Sequence, residues 1–98
     1  MNRVKKLKFY FQKLNYLKVE EKNHEMVSLY ENSIIIAIRI NHYDEAIELI
    51  NESFKVLDLV GTQEQITKYI LSVCLIHLSR DDWVSAKNYL DRMKNKLD

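Results

Sequence analysis

Tyr43-Asp44-Glu45-Ala46-Ile47-Glu48-Leu49-Ile50 and Trp83-Val84-Ser85-Ala86-Lys87-Asn88-Tyr89-Leu90 lie 40 residues apart and share one pattern: an aromatic, two residues, an alanine, three residues, a large aliphatic. The match runs on to Leu57 and Leu97. Upstream, Ile35-Ile36 falls on Leu75-Ile76, Ile38 on Leu78, and Asn41 on Asp81. Spacings of three and four residues put these side chains on one helical face. The alanine lets paired helices cross closely, and the aromatic is expected to fill the gap at the turn. A fixed period of this size is the mark of a repeat architecture.

Outward from this pair, the rest of the chain reads as helix. Val4, Leu7, Phe11, Leu14 and Leu17 line one stripe, and Glu20-Glu21-Lys22-Asn23 forms a polar joint. Val27, Tyr30, Ile34, Ala37 and Ile38 line the next helix. Its β-branched run Ile34–Ile40 could be a strand taken alone, but it lacks upstream turn residues and the repeat places it on a helix. Asn41 with Asp44 resembles a capping box. Tyr43, Ala46, Ile47, Ile50, Phe54 and Leu57 face together on the third helix, and Gly61 stands where a left-handed helix end is wanted. Thr62 with Gln65 restarts a helix in capping-box form. That helix carries two stripes, Ile66-Ile70-Val73-Cys74 and Leu71-Leu75-Leu78, which predicts packing on both sides. Asp81 or Asp82 can cap the last helix, which presents Trp83, Ala86, Leu90, Met93 and Leu97. The expectation is an all-α single repeat domain over residues 1–98, with helices at about 3–19, 22–40, 43–60, 62–79 and 82–97.

Composition agrees. The 98 residues include no proline and one glycine, which argues against hairpins and sheets. A formal net charge of +1 calls for neither nucleic acid nor an anionic surface globally. Cys74 is single and its neighbours are apolar, which suits a reducing compartment. No stretch of transmembrane length lacks a charge, so the expectation is a cytoplasmic protein.

Catalytic apparatus is not visible. His24, His42 and His77 are not spaced as helix-face metal ligands. Cys74, among apolar neighbours, reads as buried filler rather than a nucleophile. Glu20-Glu21 and Asp81-Asp82 point to different faces and fit capping and solvation. One glycine cannot build a phosphate loop. The expectation is no enzyme, no metal, no cofactor and no small-molecule substrate. The cluster Arg3-Lys5-Lys6-Lys8 suits an acidic partner, lipid headgroups, or simply a solvated face.

The pattern resembles the tetratricopeptide signature, whose period is about 34 residues, so each helix pair here is about a turn and a half longer. That resemblance implies antiparallel hairpins in a right-handed superhelix with a 40-residue period. Neither end carries a polar capping helix, which suggests a segment of a longer array, or one that pairs with something. The stretch from Tyr43-Asp44-Glu45-Ala46 to Cys74-Leu75-Ile76-His77-Leu78-Ser79-Arg80-Asp81-Asp82-Trp83 resembles the gamma-type soluble NSF attachment proteins, and the pattern around Phe9-Tyr10-Phe11-Gln12 fits as well. Its most specific part is His77 to Trp83. The resemblance covers nearly the whole chain but only the later repeats of that family, without its N-terminal repeats or its acidic C-terminus.

The resemblance implies a cytosolic adaptor, peripheral on endomembranes, that coats the SNARE four-helix bundle and recruits the ATPase NSF in vesicle trafficking. If the first helix of each pair lines a concave face, Arg39, Lys68, His77 and Arg80 are the candidate partner-binding residues. Chaperone-binding tetratricopeptide domains grip a carboxylate with Lys and Asn. Here those positions hold Glu31, Ile35, Leu71 and Leu75, which cannot do so. A structural scaffold segment is the stronger alternative, and a bacterial peptide-sensing regulator with long repeats a poorer one.

Overall fold

The computed structural model describes residues 3–20 and 22–97, the side chains of 15–20 excepted. It is all-helical over that range: α1 (Arg3–Glu20), α2 (Asn23–Arg39), α3 (Tyr43–Val60), α4 (Gln63–Ser79) and α5 (Trp83–Met93), followed by a short 3-10 turn, Lys94–Lys96. The β-branched run is helical through Arg39, with Ile40 as its C-cap. The last α-helix stops at Met93, before the expected 97, because the chain tightens into the 3-10 turn. The chain divides into two compact units, one ending at Val60 and the other starting at Gly61.

In the first unit α2 packs against both α1 and α3. Leu7 and Leu14 of α1 are buried, as are Tyr30, Ile34 and Ala37 of α2 and Leu49, Ile50, Phe54 and Leu57 of α3. Each such large aliphatic or aromatic side chain contributes roughly 1.5–3 kcal/mol on leaving water. Val4 and Phe11, expected on the buried stripe of α1, are exposed; among its described side chains Leu7 and Leu14 are the buried ones. Leu17 lies outside the described side chains. Two buried serines are satisfied by back-bonding, Ser33 Oγ donating to the Leu29 carbonyl at 2.7 Å and Ser53 Oγ to that of Ile50 at 2.6 Å.

In the second unit α4 packs against α5. Ile66, Tyr69, Ile70, Val73 and Ile76 of α4 and Ala86 and Tyr89 of α5 are buried. Within the second unit the other stripe of α4 does not face α5: Leu71 is 49% exposed and Leu75 65%, with Leu78 half-buried. Trp83 is 70% exposed and plugs no gap, since its place at the first turn of α5 turns it outward.

The 40-residue repeat recurs in the backbone. α2 and α4 begin at Asn23 and Gln63, α3 and α5 at Tyr43 and Trp83. Asn41 and Asp81 are the described non-glycine residues with positive φ, at 60° and 58°. Around each, the same bonds close the helix before it. The N–H of His42 donates to the Ala37 carbonyl at 2.8 Å and that of Asp82 to His77 at 2.9 Å. The Asn41 N–H donates to Ile38 at 3.1 Å and the Asp81 N–H to Leu78 at 3.0 Å. This pair of six-to-one and five-to-two bonds is a Schellman motif, with Asn or Asp in the left-handed place more often held by glycine. The next helix starts at once, the Ala46 N–H donating to His42 and the Ala86 N–H to Asp82.

Two local expectations change here. Asn41 and Asp44 make no capping box. An N-cap needs non-helical, β-type torsions, whereas Asn41 is left-handed and its Oδ1 accepts from the Tyr43 hydroxyl at 2.9 Å. Gly61 does not take a positive φ. The restart after it is set instead by Thr62, whose Oγ1 accepts from the Gln65 N–H at 3.2 Å while Gln65 Oε1 accepts from the Thr62 N–H at 2.9 Å. The full capping box is present. Asp82, rather than Asp81, caps α5, its Oδ1 accepting from the Ser85 N–H at 3.0 Å.

Candidate protein-binding surface

The exposed stripe of α4 lines a groove in the second unit. Glu64, Thr67, Lys68, Leu71 and Leu75 recur at three- and four-residue spacing and so share one face. With Gln63 and Ser72 they line a shallow, open groove of about 530 Å³. Its polar rim is tied down locally. Ser72 Oγ donates to the Lys68 carbonyl at 2.8 Å, and Gln63 Nε2 donates to Thr67 Oγ1 at 3.2 Å and to the Lys96 carbonyl at 2.6 Å. The leucine pair is left exposed, with Glu64 and Lys68 exposed beside it. Apolar anchors of this spacing suit an amphipathic helix laid along the groove.

Of the four candidate partner residues, Lys68 lies in this groove. His77 lies on the opposite side of α4, nine positions on, with its ring centroid 6.5 Å from that of Tyr89 in α5. Half-buried there, it packs within the hairpin. Arg80 is exposed at the C-cap of α4, three residues before Trp83. Arg39 is exposed in the last turn of α2, in the first unit. The second unit therefore holds Lys68 and His77 on different faces and does not gather them into one site. The exposed large apolar residues of the second unit that sequence reading did not single out for binding are Leu71, Leu75, Trp83 and Val84. The signal for the leucines was their own stripe on α4, which the sequence reading took for a packed face.

The first unit has a concavity of its own, of about 340 Å³, between the start of α2 and the end of α3. It is lined by Asn23, Met26, Tyr30, Glu52, Lys55, Val56 and Leu59. At its wall the Tyr30 hydroxyl donates to Glu52 Oε2 at 3.4 Å. Burial, reinforced by the Glu52 charge, pushes the Tyr30 phenol up to about 12.

The titratable groups of the second hairpin also serve packing. Tyr89 is pushed up to about 12 by burial, with the Arg92 guanidinium 5.5 Å from its ring centre acting the other way. Cys74 approaches the Ala86 carbonyl at 3.8 Å, and burial pushes its thiol up, which lowers its thiolate fraction. Among the described residues, no three His, Cys, Asp or Glu side chains gather where a metal ion could be held. No helix among them is long and apolar enough to cross a membrane.

No protein-family model, curated protein or solved structure matches the chain.

Proposed function

We propose that this chain is a protein-binding segment of a tetratricopeptide-like array of long hairpins, acting as an adaptor of the soluble NSF attachment protein type that contacts a SNARE helical bundle in vesicle trafficking. The observation that carries the binding role is the Leu71–Leu75 face, two large aliphatic side chains left in water on the first helix of a hairpin. A stripe of this kind is costly to expose and fits a helical partner. The attachment-protein identity rests on the sequence resemblance, with its densest part at His77 to Trp83 in the α4–α5 joint. The repeated left-handed turn at 41 and 81 supports the array reading, because it gives both hairpins one stop-and-restart geometry.

The scaffold alternative is favoured by a different observation: apolar side chains are exposed in both units, including Leu59 of α3 as well as Leu71 of α4. One experiment separates the two. An assembled SNARE four-helix bundle is immobilised and the chain passed over it at low and high salt, alongside Leu71→Asp/Leu75→Asp. The adaptor role predicts capture that weakens with salt and is reduced at least tenfold in the double variant, as expected for losing two buried anchors of ~1.5–3 kcal/mol each. No capture of the unaltered chain at low salt would sink the adaptor role and leave the scaffold.

A further inference from the structure

Charge is segregated along this nearly neutral chain. Six of its fifteen cations precede residue 19, while all fourteen acids follow it, beginning at Glu20. Residues 3–18, all but the end of α1, are thus a purely basic stretch attached to a remainder with nine cations against fourteen acids. Its cations do not form one line. At about 100° per residue, Lys8, Lys5, Lys13 and Lys6 fan over an arc of roughly 160° on the side away from the buried Leu7 and Leu14. All four are exposed, and Arg3 is exposed as well. Phe9, 49% exposed, stands in the middle of that arc, one turn from both Lys5 and Lys13. Val4 and Phe11 are exposed at its border.

We propose that the outer face of α1 is a contact site for an anionic lipid surface, with Phe9 entering between the headgroups. A convex helix with cations spread over so wide an arc has no groove or focused stripe to register the separate carboxylates of a protein partner. A plane of negative charge satisfies such a fan at any small roll of the helix. Four or more cations on a helix are enough for recruitment to phosphatidylserine-type surfaces, each adding about the same increment near the membrane. Phe9, at the centre of the arc, gains by leaving water at an interface. Leu7 and Leu14 meanwhile hold α1 to α2, so the contact is peripheral and needs no unfolding. The proposal does not depend on the adaptor role.

The test uses the intact chain and sedimentation with two sets of vesicles, phosphatidylcholine alone and phosphatidylcholine with phosphatidylserine. At low salt, partitioning to the anionic vesicles is expected to exceed that to neutral ones at least tenfold and to fall steeply as salt is raised. Lys5→Glu/Lys8→Glu/Lys13→Glu should abolish it, by about a hundredfold or more. Phe9→Ser, which keeps every charge, should weaken it about threefold to tenfold. These side chains are exposed, and unchanged helical circular dichroism verifies folding. Equal partitioning to both vesicle types would overturn the proposal, as would anionic binding that the triple variant retains. Displacement from the vesicles by polyuridylate at matched charge concentration would overturn it in favour of RNA.

Discussion

The α2–α3 and α4–α5 hairpins are the same device built twice with different fastenings. Where the first has Ala37 and Leu49, both buried, the second has His77 and Tyr89, whose rings pack at a tilt of 58°. Where α2 begins at Lys22 with no side-chain cap, α4 begins with the complete Thr62–Gln65 box. The open ends differ too. In the second hairpin Gln63 bonds to the carbonyl of Lys96, and the 3-10 turn draws the chain end towards the start of α4. At the matching positions of the first, Asn23 and Val56 border a cavity. Repeat geometry therefore constrains the turn and the alanine crossing and leaves caps and ends free to diverge. Both units rest on apolar burial, and the second adds the Thr62–Gln65 box and the Gln63–Lys96 bond at its open end.

This contrast can be broken most forcefully at its centre. Leu49→Ala and Tyr89→Ala, matching positions in the two hairpins, should cost about 2–5 and about 3–5 kcal/mol of local stability. Amide hydrogen exchange reads each unit separately. If Tyr89→Ala left protection of α4 unchanged, the His77–Tyr89 packing would not be a centre of the second hairpin.

Exchanging the caps is a smaller perturbation. Thr62→Ala should cost about 1 kcal/mol in α4. Conversely Lys22→Thr sets a threonine three residues ahead of Glu25, the Thr-x-x-Glu form of the box, and should stabilise α2 by on the order of 0.5–1 kcal/mol. A loss of stability in that variant would mean that the backbone at position 22 cannot swing to the extended torsions seen at Thr62.

Two pH limbs sharpen the comparison further. Tyr30 and Tyr89, one in each unit, titrate near about 12 instead of near ~10. Their folded values lie above the unfolded ones, so their contribution is complete below pH ~10 and is lost as pH rises through about 12. Phenolate absorbance should show both late. Tyr89→Phe should remove the Tyr89 part of the second unit's alkaline limb and leave the part that the raised Cys74 thiol contributes. The smallest effect is acidic. Ser85, through its side-chain and backbone hydrogen bonds, holds the Asp82 carboxyl below the usual range. That contribution is present above pH ~3.9 and fades as pH falls through the lower folded value. Asp82→Asn, which can still cap, should flatten this limb when α5 protection is followed against pH.

The helices and their period were legible because apolar spacing and polar joints agree over most of the chain. The details that were not legible have identifiable causes. Asn and Asp are favoured N-caps that also tolerate the left-handed C′ place. At Asn41 the sequence supports both, and the decision lies in which neighbour begins the next helix. Glycine permits a positive φ without requiring one, so Gly61 signals a joint but not its torsions. Periodicity says that Leu71 and Leu75 share a face, not that anything covers it. The candidate residues Lys68 and His77 were chosen by type on one helix, and nine residues of helical rotation put them on opposite sides.

The Schellman turn at Asn41 and again at Asp81 has a consequence for how such a chain grows. Each 40-residue block carries its own stop and its own restart, so a copy cut at any point and pasted in register brings a finished joint with it. One residue more or less inside that joint would rotate the next helix by about 100° and turn its buried face to water. Duplication of whole blocks is thereby an open route for this sequence, and slippage within the turn a closed one.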